Sequence, residues 1–426
     1  MMSSPVNIFW FRRDLRTEDN HGLYEALKKD LPVLPVFIFD EEILKTLPQD
    51  DARVNFIHQR VQKLHNSLNG CLLVEKGIPT KVFDKLCSQY NVKAVYTNHD
   101  YEPYALERDR QIKDLLGQKD VAFHTFKDQV IFEKDEVVKN DGKPYTIFTP
   151  YKNKWFSQVT KEDFSPYPSE KHLKNLMGES FKWPTLADIG FKESYQQVLP
   201  YNLDVLGDYE NTRNIPSQNG TSLLSPHLRF GTVSVRQLAG IAKEQNETFL
   251  SELAWREFYM QILYHFPKVV NESFKPKYDQ IEWVNDEKQF EKWCTGKTGY
   301  PMVDAGMREL NKTGYMHNRV RMVVASFLTK HLLIDWRWGE AYFAEKLLDF
   351  ELSSNNGNWQ WAAGTGCDAA PYFRVFNPTE QLKKFDPQMK YIKKWLGSDL
   401  GKYPPIIEHK FGRKRALETY KKALDQ

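Results

Sequence analysis

From Val6 onward, short β-type runs alternate with stretches of helical spacing, and past about residue 200 the β-type runs cease. The runs Asn7–Phe11, Val33–Phe39, Cys71–Val74 and Val92–Tyr96 are rich in branched and aromatic residues, and helical periods fill 22–29, 54–68 and 81–90 between them. Strands that alternate with helices predict a doubly wound parallel sheet, because parallel neighbours must be joined by a crossover long enough to hold a helix. Residues 134–202 carry Asp-Gly, several Pro and Lys and no sustained period, which marks an interdomain linker. Beyond it, Phe249–Phe266, Met302–Asn311, Met316–His331 and Gly339–Phe350 place apolar residues three and four apart. The expected organisation is an α/β domain over 1–133, the linker over 134–202, and an all-helical domain over 203–426.

Composition supports two cores: 426 residues with 41% hydrophobic are more than one compact core usually organises. The start offers only a short apolar run before Arg12 and Arg13, and no stretch of about 18 uncharged apolar residues occurs, so neither secretion nor membrane spanning is expected. Cys71, Cys87, Cys294 and Cys367 form no C-x-x-C pair, which argues against a zinc site or a disulfide framework and for a reducing compartment. A net charge of +3 leaves nucleic-acid binding open without indicating it. More unusual are the 11 Trp, most of them beyond Pro200, although any one of them also reads as core.

One motif is set aside. Gly364-Thr365-Gly366-Cys367-Asp368-Ala369 matches a dinucleotide fingerprint, but that fingerprint needs a strand before it and a helix after it, and Pro371 would interrupt the helix. Four other segments carry chemistry. Thr221-Ser222-Leu223-Leu224-Ser225 sets three hydroxyls ahead of a helical stretch, where they suit phosphate oxygens or serve as an ordinary N-cap. Glu252, Trp255, Arg256 and Tyr259 share one helix face, so that a carboxylate and a large π surface could meet a nucleobase. Asn318 and Met322 lie one turn apart, and Arg321, if buried, needs a partner, for which Asp349 is a candidate. Asn355-Asn356-Gly357-Asn358-Trp359-Gln360-Trp361 is dense in amides and indoles, which fits a flavin edge and equally a capping loop with two core Trp.

Taken together these segments resemble the photolyase and cryptochrome family, and most closely the class I repair enzymes. The resemblance runs through Trp10-Phe11-Arg12-Arg13-Asp14-Leu15-Arg16, Gly220-Thr221-Ser222, Trp255-Arg256-Glu257-Phe258, Gly299-Tyr300-Pro301 and Asn377-Pro378. It implies a helical domain that holds FAD through Tyr209, Thr221, Ser222, Leu223, Leu224 and Ser225, with the Arg321 and Asp349 pair beside the flavin and Asn355 at its N5. It also places Glu351 at the flavin, a position where bacterial repair enzymes often carry Asp. It further implies a dimer pocket of Glu252, Trp255, Asn318, Met322 and Trp361, with Arg213, Arg256, Arg319 and Arg374 near DNA phosphates. Trp359, Trp336 and Trp283 match the family's electron relay.

The implied activity is light-driven repair of cyclobutane pyrimidine dimers: reduced FAD gives one electron to the dimer, the cross-links break, and the electron returns. Asn355 is the form typical of repair enzymes rather than of signalling cryptochromes, and Met322 and the second indole of Trp359-Gln360-Trp361 favour this lesion over the (6-4) and DASH types. The alternative is a cryptochrome that senses blue light without repair. For the antenna chromophore, Tyr104-Ala105 and Asn271 disfavour folate, while the run Asp100 to Tyr104, with Asp100 and Glu102 as candidate contacts, is more similar to members carrying a deazaflavin; an empty site or another flavin stays open. A monomer acting on DNA in the cytoplasm or another reducing, DNA-containing compartment completes the expectation.

Overall fold

The computed structural model describes residues 4–425. Five strands, β1 Pro5–Phe11, β2 Val33–Asp40, β3 Leu73–Gly77, β4 Asn91–Asn98 and β5 Ala122–Phe126, form one parallel sheet in the order β3-β2-β1-β4-β5. The central strands read as continuous apolar runs because both faces are covered. Phe9, Phe11, Val33, Phe37 and Phe39 point into one core, and Val6, Ile8, Trp10, Leu34, Val36 and Ile38 into the other. The longer helices between the strands are α1 His21–Leu27, α2 Ala52–Ser67, α3 Pro79–Gln89 and α4 Pro103–Gly117.

The chain divides into two compact units, and the division differs from the expected boundaries. The sheet unit holds residues 1–133, 158–201 and 223–244; the helical unit holds 134–157, 202–222 and 245–426. Residues 134–202 are therefore shared out rather than forming a connection of their own. The return of 223–244 to the sheet unit has a visible cause. Arg236 donates to Asp19 at 2.9 Å and to Asp128 at 2.8 Å, Arg16 pairs with the same Asp128 at 2.8 Å, and Ser234 bonds Asp19, all of them buried. At Gly231, with φ of +61°, any Cβ would overlap the Arg13 backbone, so only glycine allows this approach.

The helical unit is built on α5 Phe148–Gln158, α6 Glu247–His265, α7 Pro301–Thr313, α8 Asn318–Ser326, α9 Trp336–Lys346, α10 Leu352–Ala363, α11 Pro378–Phe385, α12 Lys390–Leu396 and α13 His409–Asp425. Its core gathers Trp293, Val320, Val324, Phe327, Trp336, Phe343 and Trp359. No helix among the described residues is long and apolar enough to cross a membrane, and no group of His, Cys, Asp or Glu among them is arranged to hold a metal ion.

Candidate cofactor and nucleic-acid site

Helix α10 is the element on which most of the site depends. Glu351 starts it, accepting from the Ser353 and Ser354 N–H groups at 3.3 and 2.9 Å and from the Ser353 hydroxyl at 2.6 Å. The buried carboxylate that the resemblance assigns to the cofactor is thus an N-cap, in the position where negative charge is favoured. Gly364 ends the helix at φ of +89°, and Asp368 accepts the Phe148 N–H at 3.0 Å at the start of α5. The false fingerprint therefore follows a helix, not a strand, and serves as a helix stop.

On α10 the amides divide their work. Asn356 and Gln360 donate to the Val269 carbonyl at 2.9 Å, and Gln360 accepts from the Phe274 N–H at 2.9 Å, so these two pin a neighbouring turn. Asn355 instead donates to Glu340 Oε1 at 2.8 Å and to its carbonyl at 3.1 Å. Burial pushes the Glu340 carboxyl above its usual range, with the Asn355 hydrogen bond opposing the shift. Glu340, the partner of Asn355, is a candidate that sequence reasoning missed, and no local motif announces it.

The indoles fall into different surroundings. Trp359 packs on α9 where Gly339 leaves room, since a Cβ at Gly339 would overlap the indole. Its ring meets Phe343 at 4.9 Å and Trp293 at 6.1 Å. Trp336, on the same helix as Gly339, is fully buried with its N–H unpaired. Trp283 is half-buried and stands edge-on to Tyr420 at 6.0 Å. Trp336 and Trp359 share one core and Trp283 packs against it, while among the described residues no ring-to-ring contact joins the three. Trp361 is half-buried, 6.4 Å from Phe376.

Across from α10, α6 carries Glu252 and Trp255. Gly357 permits this crossing, because a Cβ there would overlap the Tyr259 ring. Glu252 is paired with Arg213 at 2.7 Å. Arg213 lies over the Tyr209 ring at 5.2 Å, and Tyr209 packs edge-on to Phe249 at 5.1 Å. Burial and then the Glu252 charge push the Tyr209 phenol up to about 12. Trp255 is stacked on Phe148 at 3.6 Å with 13° between the planes, so one face of the indole is covered by a residue the sequence reading did not include.

The positive charges converge on His317. Its Nδ1 accepts the Arg319 N–H at 3.1 Å, capping α8 just before Asn318, and its Nε2 is buried without a partner. Burial, then the charges of Arg321, Arg319 and Arg213, lower its pKa to about 4. Arg319 donates to Asn214 at 2.6 Å and to Met322 Sδ at 3.5 Å; burial, Arg213 and Arg374 lower its pKa. Arg321 forms the expected pair with Asp349 at 2.9 Å. Arg213, Arg319 and Arg374 thus make a field suited to an anion, at which Glu252 is the nearby acid.

Whether these residues fit a flavin nucleotide can be asked of the groups left unsatisfied. Asp349 Oδ1 and His317 Nε2 are buried without partners, which costs about 1–3 kcal/mol each unless a ligand supplies them. No side-chain hydrogen bond is made by Thr221, Ser222 or Ser225 among the described residues, and Leu223 holds a left-handed φ of 56°. The helix Ser225–Arg229 has no side-chain cap at its start, so the N-cap reading of these hydroxyls does not hold. Within the helical unit, the open Asp349 acceptor and the arginines are the groups that a heterocycle edge and a phosphate require, and the donor set fits. In the sheet unit, by contrast, Asp100 and Glu102 both accept from Arg13 at 3.0 Å and Glu102 pairs with Arg229 at 3.1 Å. Burial opposes the Asp100 charge, yet Arg13, Arg12 and Arg229 hold its carboxyl below the usual range.

The sequence matches the family model described as DNA photolyase over residues 7–170 and that described as the FAD binding domain of DNA photolyase over 249–399. It is 37% identical to a deoxyribodipyrimidine photo-lyase of Halobacterium salinarum, over 98% of this chain and 99% of that protein. A bacterial class III photolyase from Agrobacterium tumefaciens superposes with a TM-score of 0.89 at 32% identity, covering 100% of this chain and 99% of that one. A Synechocystis cryptochrome superposes at 0.85 with 26% identity, over 98% and 100%. With this likeness over its whole length, the chain belongs to the DNA photolyase family.

Proposed function

We propose that this protein repairs cyclobutane pyrimidine dimers in DNA, driven by light, as a deoxyribodipyrimidine photo-lyase. The observation that carries the reading is the convergence of Arg213, Arg319 and Arg374 beside Glu252 and Trp255. Reduced FAD, when bound, supplies the photochemical electron. Tyr209, the Thr221–Ser225 run, Arg321, Asp349 and Asn355 are the residues that would hold it, with Glu351 acting through the α10 cap rather than by contact. Arginines take the phosphates around the lesion. A phosphate at Arg213 competes with Glu252 for the guanidinium, and the released carboxylate is free to bond the polar edge of a flipped pyrimidine. Trp255, backed by Phe148, presents its remaining surface to the dimer, and Asn318, Met322 and Trp361 complete the pocket; Arg256 is a further phosphate contact. Trp359, Trp336 and Trp283 serve as the route by which electrons reach the oxidised cofactor.

The reading extends to a monomer, and to a deazaflavin antenna in the sheet unit, supported by the run Asp100 to Tyr104; extraction and absorbance of the bound chromophores tests the latter. A titration tests the main reading. The FAD-loaded protein should bind a dimer-containing duplex at least tenfold more tightly than the intact duplex at one salt concentration, a factor worth about 1.4 kcal/mol. Equal affinity for both would remove lesion recognition and leave the cryptochrome reading, which the likeness to the Synechocystis protein supports.

A further inference from the structure

At the carboxyl ends of β4 and β5, the edge at which parallel α/β sheets take their ligands, three side chains are joined in a chain that the repair reading does not use. The Thr125 hydroxyl lies 2.9 Å from His99 Nε2, and His99 Nδ1 lies 2.8 and 3.1 Å from the two carboxylate oxygens of Glu133. Glu133 also accepts the Tyr101 hydroxyl at 2.6 Å, which holds the carboxylate against the ring. A carboxylate offers only lone pairs, so the imidazole proton sits on Nδ1. Nε2 is then an acceptor, and the Thr125 O–H donates to it. That hydroxyl makes no other hydrogen bond among the described residues.

The side chains are not what fixes the turn after β4. The His99 N–H donates to the Phe126 carbonyl at 2.7 Å and the Gln129 amide donates to the His99 carbonyl at 2.6 Å, so the backbone is held without the imidazole. Thr125 is exposed, whereas His99 and Glu133 are half-buried, so the hydroxyl faces solvent with its partners behind it. Strand β5 is the last of the sheet, and the N–H groups on its outer edge meet no neighbouring strand and can serve an oxyanion. A hydroxyl, a base within hydrogen-bond reach and an acid that orients the base are the parts of an activated nucleophile, which is recognised by geometry and role rather than by position in the sequence.

We propose that Thr125, His99 and Glu133 form a second, light-independent site that hydrolyses activated esters of small carboxylic acids. Thr125 Oγ1 attacks the ester carbonyl carbon while its proton passes to His99 Nε2; the bond from that carbon to the alcohol oxygen breaks, and the alcohol leaves with the proton. Water then gives a proton to the same Nε2 and attacks the threonyl ester, whose breakdown returns the proton to Thr125 Oγ1 and frees the carboxylic acid. No electron is transferred and no cofactor enters. Glu133 keeps the proton on Nδ1 and stabilises the imidazolium in both steps. The hydroxyl stands on an exposed edge strand, so little binding energy is on hand and the ester must carry a good leaving group. Crowding beside the Thr125 methyl group favours a compact acyl group.

The test uses the full-length protein in the dark with para-nitrophenyl acetate, following release of nitrophenolate, and a fluorophosphonate probe whose adduct is mapped by mass spectrometry. Thr125→Val keeps the shape of the side chain and should hydrolyse the ester about 100-fold or more slowly than the parent, and His99→Gln, which removes the base, should lose as much. Thr125→Ser restores a hydroxyl and should stay within about tenfold of the parent. The probe should mark Thr125 in the parent and leave Thr125→Val unmarked, and matching melting temperatures confirm that the variants are folded. Equal rates for the parent and Thr125→Val, whether both are fast or both match buffer alone, overturn the proposal, as does an adduct on another residue. The outcome is independent of the repair reading, because the three side chains lie in the sheet unit and the assay runs without light.

Discussion

Glu252 and Trp255 sit one helical turn apart, yet the roles proposed for them act on different quantities. Trp255→Ala removes one base-stacking surface and should weaken binding to dimer-containing DNA by about 1–3 kcal/mol, with little effect on intact DNA. It also strips the partner from Phe148, a ring pair worth about 0.5–1.5 kcal/mol to folding, so the melting temperature should fall as well. Glu252→Ala frees Arg213 and should lower the repair yield per absorbed photon more than it lowers affinity. Equal losses on both DNAs for the first variant, or an unaltered yield for the second, would contradict these roles. His317 gives a pH signature. Its folded pKa of about 4 lies below the usual 6.5, so the unfolded chain binds the extra proton first. Its contribution is fully present above pH 6.5 and is lost as pH falls toward 4, on the order of 3 kcal/mol. His317→Gln should flatten the fall in melting temperature across that window; an unchanged profile would show that the imidazole is not held neutral. Of these residue contacts, only Arg321 with Asp349 was legible in the sequence. Glu252 with Arg213, Asn355 with Glu340 and Trp255 with Phe148 join separate elements, and no spacing rule connects them.

At the scale of elements, helix approach depends on absent side chains. Gly339→Ala would drive a methyl group into Trp359, and overpacking of this kind costs about 1–3 kcal/mol. The expected outcome is a lower melting temperature together with slower photoreduction of the oxidised cofactor, because Trp359 is displaced. Trp336→Phe keeps a large apolar ring and should preserve stability within about 1.5 kcal/mol while blocking that photoreduction; a parental rate would make Trp336 a core residue only. The central strands and the helices α6 and α7 were legible because their apolar periods are long and regular. Strand β5 was not, since Ala122–Phe126 is a largely exposed edge without alternation. Helix α4 had its signals, Pro103 at the first turn and Ala105, Arg108, Ile112 and Leu116 on one side, but a buried arginine breaks the apolar pattern. Helix α10 hid behind its amides, although Gly364 marks its end.

At the scale of the whole molecule, the buried network of Arg16, Arg236, Asp19 and Asp128 decides which unit owns residues 223–244. Hydrophobic periodicity carries no record of such pairs, which is why the return of 223–244 to the sheet unit was not legible in the sequence. Removing one partner of a buried pair costs about 3–5 kcal/mol, so Arg236→Met should destabilise the sheet unit strongly; a change within the scatter of surface variants would contradict the network's role. The activity itself is tested most directly by irradiating the reduced, FAD-loaded protein with dimer-containing duplex DNA and following the absorbance of the restored thymines. Repair predicts recovery in the light and none in the dark, with many dimers converted per protein and no net consumption of reductant. A protein that binds the dimer yet leaves the absorbance unchanged under illumination would contradict it.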